Sequence, residues 1–204
     1  MNIVQRAYKY RFYPDVEQEN ILARTFGCAR YVYNWGLRLR TDAFYEHQER
    51  IGYAGTCKLL TALKQEPDKL WLSECSNVVL QQALSNLDTA FKNFFQGRAQ
   101  YPTFKKRNGK QSVRYTPSGF RWKSGQIWLA KMSSPLAIRW SRVFNGTPSS
   151  VTISKDPAGR YFISILVEES IHSLPVIAKI AGIDLGLKDA AILSDGTKIP
   201  NPTF

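Results

Sequence analysis

Asp184 is the residue whose position most suggests chemistry, because it ends an apolar run that extends from Ile177 to Ile183. A carboxylate at the end of a buried strand costs desolvation free energy unless a charge or a hydrogen-bond donor meets it. Two-metal phosphodiester chemistry is one use for such a carboxylate, and Gly186 nearby would let a polyanion approach the backbone. The residues leave three roles open for Asp184: a structural acid, a metal ligand, or part of a nucleotide-phosphate loop.

A basic loop is the second candidate site. The stretch "YPTFKKRNGK", residues 101–110, places four cations around an Asn-Gly turn. Cations so close together repel one another unless water or an anion lies between them. The stretch therefore predicts either a solvated loop or a loop that contacts phosphates. Its cations are Lys105, Lys106, Arg107 and Lys110.

The positive charge of the chain is concentrated in one segment. Over 204 residues Lys and Arg outnumber Asp and Glu by 28 to 16, and from Thr89 to Lys155 there are 13 cations and no acid. Eleven aromatic residues lie in the same segment, and we expect most of them to pack inside. Cations neutralise phosphates and aromatic faces stack on unpaired bases, so the segment, here called the basic segment, favours RNA or single strands. A basic protein without a nucleic-acid partner is the alternative that charge alone leaves open.

Three further cations of the basic segment, Arg114, Arg121 and Lys123, lie in predicted strands and extend the predicted phosphate-binding surface.

Cysteine use and hydropathy exclude other classes of protein. The three cysteines stand at least 18 residues apart, so neither a disulfide framework nor a paired-cysteine zinc site is visible. No apolar run reaches the length of a membrane span, and the first residues are too polar for a signal peptide. The sequence predicts a soluble, cytoplasmic protein.

Hydrophobic periodicity predicts a strand and then three helices. The stretch 7–14 alternates aromatic and mostly basic residues, as a half-buried strand does. Asp15 with Gln18 forms a capping-box pattern for a helix that continues to about residue 40 or beyond, with a core stripe. Shorter helices are predicted over 56–65 and from Ser76 to Gly97. The stripe of the first is Leu22, Phe26, Tyr33 and Leu37, and that of the last is Leu80, Leu84, Leu87, Phe91 and Phe94.

Short strands follow the helices. They are predicted near 112–116, 120–123, 126–130, 136–140, 150–154 and 161–167. Their regular spacing favours a small β-barrel, with the helical segment inserted between its first and second strands. Residues 170–176 are predicted as a linker, a new strand begins near Ala178, and "SDG" at 194–196 predicts a hairpin turn. The fold class is α+β.

Three stretches together identify a family. They are "YKYRFYPDVEQENILARTFGCARYVYNWGL" (8–37), "LSNLDTAFKNFFQGRAQYPTFKKR" (84–107) and "AGIDLGLKDAAILSDG" (181–196). In order and spacing they resemble the amino-terminal half of the OrfB/TnpB proteins of bacterial insertion sequences, which are compact RNA-guided DNA nucleases related to type V CRISPR effectors. The resemblance covers nearly the whole chain.

The resemblance implies an arrangement of domains and a metal site. Residues 1–14 with 98–175 would form a wedge-like β-barrel, 15–97 an inserted helical recognition lobe, and 176–204 the first strands of an RNase H-like domain of RuvC type. Asp184 maps onto the first aspartate that binds Mg²⁺ in the family. The later Glu and Asp partners and the zinc ribbon of paired CxxC units are absent from this sequence. We therefore expect no cleavage by Asp184 alone, and an exposed strand edge in the last 28 residues.

The resemblance also implies partners: a guide RNA together with double-stranded and single-stranded DNA, in the cytoplasm and associated with the nucleoid. Tyr53, Asn77, Gln81 and Thr116 stand where relatives contact a short duplex motif beside the target. Asn and Gln suit adenine edges, and Tyr and Thr suit backbone or thymine methyl contacts. Helix capping and core packing are the alternative roles for these four residues.

Two other functions remain open. A binding-only protein could act as a repressor or competitor at the ends of the element. A nucleotide phosphotransferase of the actin-like superfamily also begins its first phosphate loop with "GIDLG". In that superfamily Thr or Ser usually follows this motif, whereas here Leu187 and Lys188 follow it. The superfamily motif also lies near the start of the chain, whereas here more than 180 residues precede it.

Overall fold

The computed structural model describes residues 2–171 and 180–201. They belong to two compact units, a larger one from Ile3 to Ser170 and a smaller one that contains residues 180–201. None of the helices in these ranges combines the length and the apolar character needed to cross a bilayer. Both helices and strands are present, which confirms the α+β class.

The chain begins with strand β1 (Asn2–Phe12) and helix α1 (Val16–His47). The predicted alternation of β1 is confirmed, because Tyr10 and Phe12 are buried while Lys9 is exposed. The capping box is also confirmed: the Gln18 amide donates to Asp15 Oδ1 at 2.8 Å and the Asp15 amide donates to Gln18 Oε1 at 3.4 Å. These bonds satisfy donors that the first turn of a helix leaves without partners.

Two more helices pack on α1. They are α2 (Tyr53–Leu63) and α3 (Asn77–Phe95), and a 3-10 helix (Pro67–Glu74) joins them. A Cβ added at Gly36 would lie 2.8 Å from Leu84 Cδ2, so glycine permits the close approach of α1 to α3. The predicted core stripes are buried except at Phe94, which is half-buried. Ser76 is the N-cap of α3, at the predicted start of that helix, and its side chain makes no capping hydrogen bond.

A charged cluster ties α1 to α3 within this core. Asp88 accepts from Arg40 Nη1 at 3.1 Å and from Lys92 Nζ at 2.9 Å. Burial raises the pKa of Asp88, but the hydrogen bonds and charges of Lys92 and Arg40 outweigh it, so the net shift of that pKa is downward. The Arg40 guanidinium also lies 4.3 Å from the ring centroid of Phe91. Arg40 therefore both neutralises the Asp88 carboxylate and packs against the ring of Phe91.

All six predicted strands after the helices are present, with small changes of boundary. They are β2 (Gln111–Tyr115), β3 (Phe120–Lys123), β4 (Gln126–Leu129), β5 (Ile138–Arg139), β6 (Pro148–Lys155) and β7 (Tyr161–Ile171). Five strands form one sheet in the order β2-β6-β7-β1-β5, and β3 pairs with β4 in a separate hairpin. Among the described residues this sheet is open, not the closed barrel that the spacing predicts. Its terminal strand β5 has only two residues, both already paired with β1.

The centre of the sheet supplies much of the core. Val151 lies opposite Ile165 and Ile153 lies opposite Ile163, and all four side chains are buried. Burial of each such side chain contributes about 1.5–3 kcal/mol of transfer free energy. β1 lies between β7 and β5, and the Tyr8 hydroxyl donates to Glu169 Oε1 at 2.6 Å across 161 residues of chain. The helical segment is thus an insertion between strands of one sheet, as predicted.

The aromatic residues of the basic segment divide between core and surface. Seven of the eleven are buried or half-buried, which agrees with the prediction that most pack inside. The four exposed ones are Phe95, Tyr101, Phe104 and Trp140.

The smaller unit contains β8 (Ile183–Asp184), β9 (Asp189–Leu193) and β10 (Lys198–Pro200) in the order β10-β9-β8. The predicted hairpin turn is confirmed: Gly196 has a φ of 87°, and the Leu193 amide donates to the Thr197 carbonyl at 2.9 Å. The predicted exposed edge is confirmed at β8.

The prediction of a buried strand before Asp184 is wrong for the described residues. The side chain of Ile180 is 98% exposed and that of Ile183 is 63% exposed. Residues 180–201 form a single layer of short strands, and within that range no second layer covers these isoleucines. The rest of the predicted strand, its start near Ala178 and most of the predicted linker lie in 172–179, outside the described residues.

Candidate nucleic-acid interface

The basic loop is fixed through its backbone. The Asn34 amide group donates to the Lys105 carbonyl at 3.0 Å, and the Lys105 amide donates to Asn34 Oδ1 at 2.8 Å. Gln111 Nε2 donates to the carbonyls of Arg107, at 2.6 Å, and Gly109, at 3.0 Å. A turn is present at the predicted place, with Arg107 and Asn108 at its centre, closed by the Gly109 amide, which donates to the Lys106 carbonyl at 3.2 Å. These bonds order the loop without engaging its cationic groups.

The four cations of the loop are not equivalent. Lys105 Nζ lies 4.2 Å from the ring centroid of Tyr33, and desolvation lowers the pKa of this lysine. All four cations are exposed, but within the described residues Lys106, Arg107 and Lys110 lie against no aromatic ring. The last three are therefore the loop residues best placed to meet a phosphate.

Among the residues that the structure describes, most cations of the basic segment have no carboxylate partner. Within residues 2–171 and 180–201, Lys92 is the one cation of this segment that forms an ion pair with an acid. The seven predicted phosphate-binding cations all lie outside those pairs. Their charge is not neutralised inside the fold, so it produces the positive potential that attracts polyanions.

Three of these cations lie on strands. Arg114, on β2, donates to Ser150 Oγ from Nε at 3.3 Å and from Nη2 at 3.1 Å. On the β3–β4 hairpin the Arg121 guanidinium lies 4.4 Å from the ring centroid of Trp128, its cross-strand partner. A guanidinium that covers an indole presents a flat cationic surface. Lys123 ends the same strand and is exposed.

Two of the four residues predicted to read a duplex motif, Asn77 and Gln81, lie one turn apart on α3. A Cβ added at Gly119 would lie 3.1 Å from Val78 Cγ1, so the turn after Thr116 packs against the first turn of α3. Thr116 is the N-cap of that turn. Asn77 Oδ1 accepts from Lys64 Nζ at 2.8 Å, which leaves the Asn77 amide group as a donor.

Tyr53 does not join this group. It begins α2, whereas Lys64, just past the other end of α2, bonds to Asn77. Tyr53 and Lys64 lie at opposite ends of α2, whose eleven residues rise about 16 Å. Burial raises the pKa of Tyr53, and the neighbouring Cys57 adds to this rise.

Asp184 is an exposed carboxylate on the edge strand β8, opposite Ile192. Two-metal chemistry needs several carboxylates that converge on the ions. Over residues 2–171 and 180–201 no group of three His, Cys, Asp or Glu side chains is placed to hold a metal ion. The described residues do not make a two-metal site by themselves.

Sequence reasoning missed a groove on α1 of about 770 Å³. Its lining combines arginines with aromatic rings, on the helix face opposite the core stripe. A signal for it was present, because Tyr31 and Trp35 are aromatic residues spaced by four on that outer face. The lining residues are Arg24, Gly27, Cys28, Arg30, Tyr31, Asn34, Trp35, Arg38, Trp71, Glu74 and Phe104.

Comparison with known proteins places the chain in a family. The helix-turn-helix domain family of OrfB proteins from IS605 elements matches residues 1–49, which fold here as β1 and the single helix α1. A Streptomyces pristinaespiralis protein, named as a candidate RNA-guided DNA endonuclease, is 48% identical over 99% of this chain and 51% of its own length. Escherichia coli K12 InsQ, also named as a candidate RNA-guided DNA endonuclease, is 34% identical over 94% of this chain and 48% of its own length. The chain belongs to the OrfB/TnpB family of insertion-sequence proteins.

The chain spans about half the length of these two relatives. Among solved structures, a Cas12f1–sgRNA–target DNA complex aligns with 98% of this chain and 55% of its own chain. Sequence identity there is 12% and the TM-score is 0.43.

Proposed function

We propose that this chain is the guide-RNA- and target-DNA-binding portion of a transposon-encoded RNA-guided DNA endonuclease. One observation carries the proposal: the acid-free basic segment, of whose 13 cations only Lys92 meets a carboxylate in the described residues. Uncompensated charge on an ordered loop and on strands suits phosphate contacts that position a nucleic acid. The two curated relatives, both named as candidate RNA-guided DNA endonucleases, support the kind of partner.

Within this proposal the elements divide their tasks. The five-stranded sheet with the basic loop would form the wedge domain and hold the scaffold of the guide RNA. Helices α1 to α3 would form the recognition lobe. Thr116, Asn77 and Gln81 would contact the duplex motif, since they offer amide and hydroxyl groups to base edges. Tyr53 would contact the nucleic acid at a separate point.

Asp184 would be the first Mg²⁺ ligand of a RuvC-type site. The described residues supply a single carboxylate there, so we expect no Mg²⁺-dependent cleavage of supercoiled plasmid by this chain. Nicking that disappears in Asp184→Ala would contradict this expectation.

The proposal is tested with RNA transcribed from beside the gene. We expect the chain to bind this structured RNA in the nanomolar range, with affinity that falls steeply with salt. The control is an unrelated structured RNA of the same length. Equal affinity for both RNAs would refute guide-RNA recognition and leave only non-specific binding.

A further inference from the structure

The groove on α1 has the chemistry of a base-stacking site. Trp71 and Phe104 border the groove, with 39% and 56% of their surface exposed. Both residues could therefore bury more apolar area against a partner. Exposed apolar patches of this kind, flanked by polar groups, mark interaction sites. The groove volume of about 770 Å³ lies in the range of small-molecule sites.

The aromatic rings of the groove are held in place before any ligand arrives. The Tyr31 and Trp71 rings meet edge to face, with centroids 5.1 Å apart. The indole N–H of Trp71 donates to the Asp68 carbonyl at 3.0 Å. Phe104 precedes Lys105, whose backbone is bonded twice to Asn34 on the α1 side of the groove. Rings fixed in this way lose little conformational entropy when they bind.

The charges around the groove suit a nucleic-acid strand. Arg24, Arg30 and Arg38 line it with one acid, Glu74. Arg30 donates to Gln111 Oε1 at 3.2 Å, and Arg38 pairs with Asp42 at 3.7 Å, with both side chains of that pair more than half exposed. Arg24 pairs with Glu74 at 3.0 Å, but both side chains are more than half exposed, so water screens this pair. Flat apolar walls beside cations match an unpaired base and its flanking phosphates.

Gly27 gives independent support. It lies in the middle of α1 and lines the groove, and a Cβ added there meets nothing within 4 Å. Glycine inside a helix weakens the helix relative to alanine, so the fold itself gains nothing from glycine at this position. A flat ligand lying against the helix does gain from it, because glycine allows close approach to the backbone.

We infer that this groove binds an unpaired base of single-stranded RNA, stacked on Trp71 and seated over Gly27. The inference rests on the proposed function and adds a site to it, separate from the basic loop. It predicts that the contribution of the aromatic walls and of Gly27 to affinity depends on the base and not on salt, whereas the contribution of the arginines depends on salt.

The test uses a twelve-nucleotide oligoadenylate RNA and the same strand with abasic ribose at every position. We expect Gly27→Leu, which fills the floor of the groove, to weaken binding of the oligoadenylate by about 5- to 150-fold, the loss of one base stack. Binding of the abasic strand should not change, and the salt slope should stay that of the wild type. Ala23→Leu is the matched control, since Ala23 is exposed on α1 outside the groove.

A second pair of variants keeps the test independent of the folding of Gly27→Leu. We expect Trp71→Ala to weaken binding in the same range and Trp71→Phe to restore most of it, because phenylalanine keeps a flat ring. Wild-type affinity in both Gly27→Leu and Trp71→Ala would overturn the inference while the proposed function stands. Failure of the wild type to bind its structured RNA would overturn both. Tighter, Trp71-dependent binding of a DNA strand would also overturn the assignment to RNA.

Discussion

Neutralising the three outward cations of the basic loop should remove about three phosphate contacts. The triple variant Lys106→Gln, Arg107→Gln and Lys110→Gln leaves Lys105 in place, since its ammonium lies against Tyr33. Each phosphate contact with a single strand contributes about 0.7 to the slope of log K against log salt, so the slope should fall by about 2. Extrapolated from 1 M salt, where counterion release contributes nothing, this is a loss of about 100-fold in affinity at 0.1 M.

The assay is fluorescence anisotropy with a labelled single-stranded RNA across a salt series. The matched control replaces Arg50, Lys58 and Lys188, three exposed cations outside the basic segment, by glutamine. Both variants carry a net charge of +9, because three charges are removed from +12. An equal fall in slope for the two variants would show that total charge matters and not the loop, and would refute the reasoning.

Three further predictions concern the scaffold. Gln111→Ala should weaken RNA binding a few-fold without changing the salt slope, because the loop loses order and no charge; a changed slope would contradict this. Asp88→Asn should lower the free energy of unfolding at pH 7 by about 1.5–3 kcal/mol. Because the pKa of Asp88 is lowered in the folded state, ionised Asp88 stabilises the fold at pH values above its unfolded-state pKa of about 3.9, and this stabilisation is lost at lower pH. The difference in free energy of unfolding between the wild type and Asp88→Asn, measured with urea, should therefore be smaller at pH 3 than at pH 7. Gly36→Ala should lower the free energy of unfolding by about 1–3 kcal/mol through overpacking against Leu84, whereas Gly27→Ala should raise it by about 0.5–1 kcal/mol. Melting temperatures that shift in the same direction for both variants would contradict the packing argument.

Local signals in the sequence were sufficient for most of the secondary structure. The capping box at Asp15 and Gln18 and the αL glycine at Gly196 each act through hydrogen bonds or dihedral preferences within a few residues, so the sequence specifies them directly. The 3-10 helix at Pro67–Glu74 was missed because a short helix has too few turns to show periodicity.

Properties that depend on distant partners were harder to predict. The apolar run before Asp184 predicts burial only if a second layer covers it, and residues 180–201 contain no such layer. Strand spacing predicts a sheet but does not say whether its two ends meet. The groove on α1 was overlooked because Tyr31 and Trp35 lie outside the core stripe, and their partner Trp71 comes from an element that periodicity did not indicate.

The position of β1 between β7 and β5 has a consequence during synthesis. Tyr8 cannot meet Glu169 until a further 161 residues have been made, which takes about 8 to 32 s at bacterial elongation rates. For most of that interval the apolar face of β1, with Tyr10 and Phe12, has neither neighbouring strand, since β5 begins at Ile138 and β7 at Tyr161. Helices α1 to α3, whose contacts are more local, can form meanwhile. A ribosome paused after the helices should therefore display a folded helical segment together with a strand that chaperones can capture.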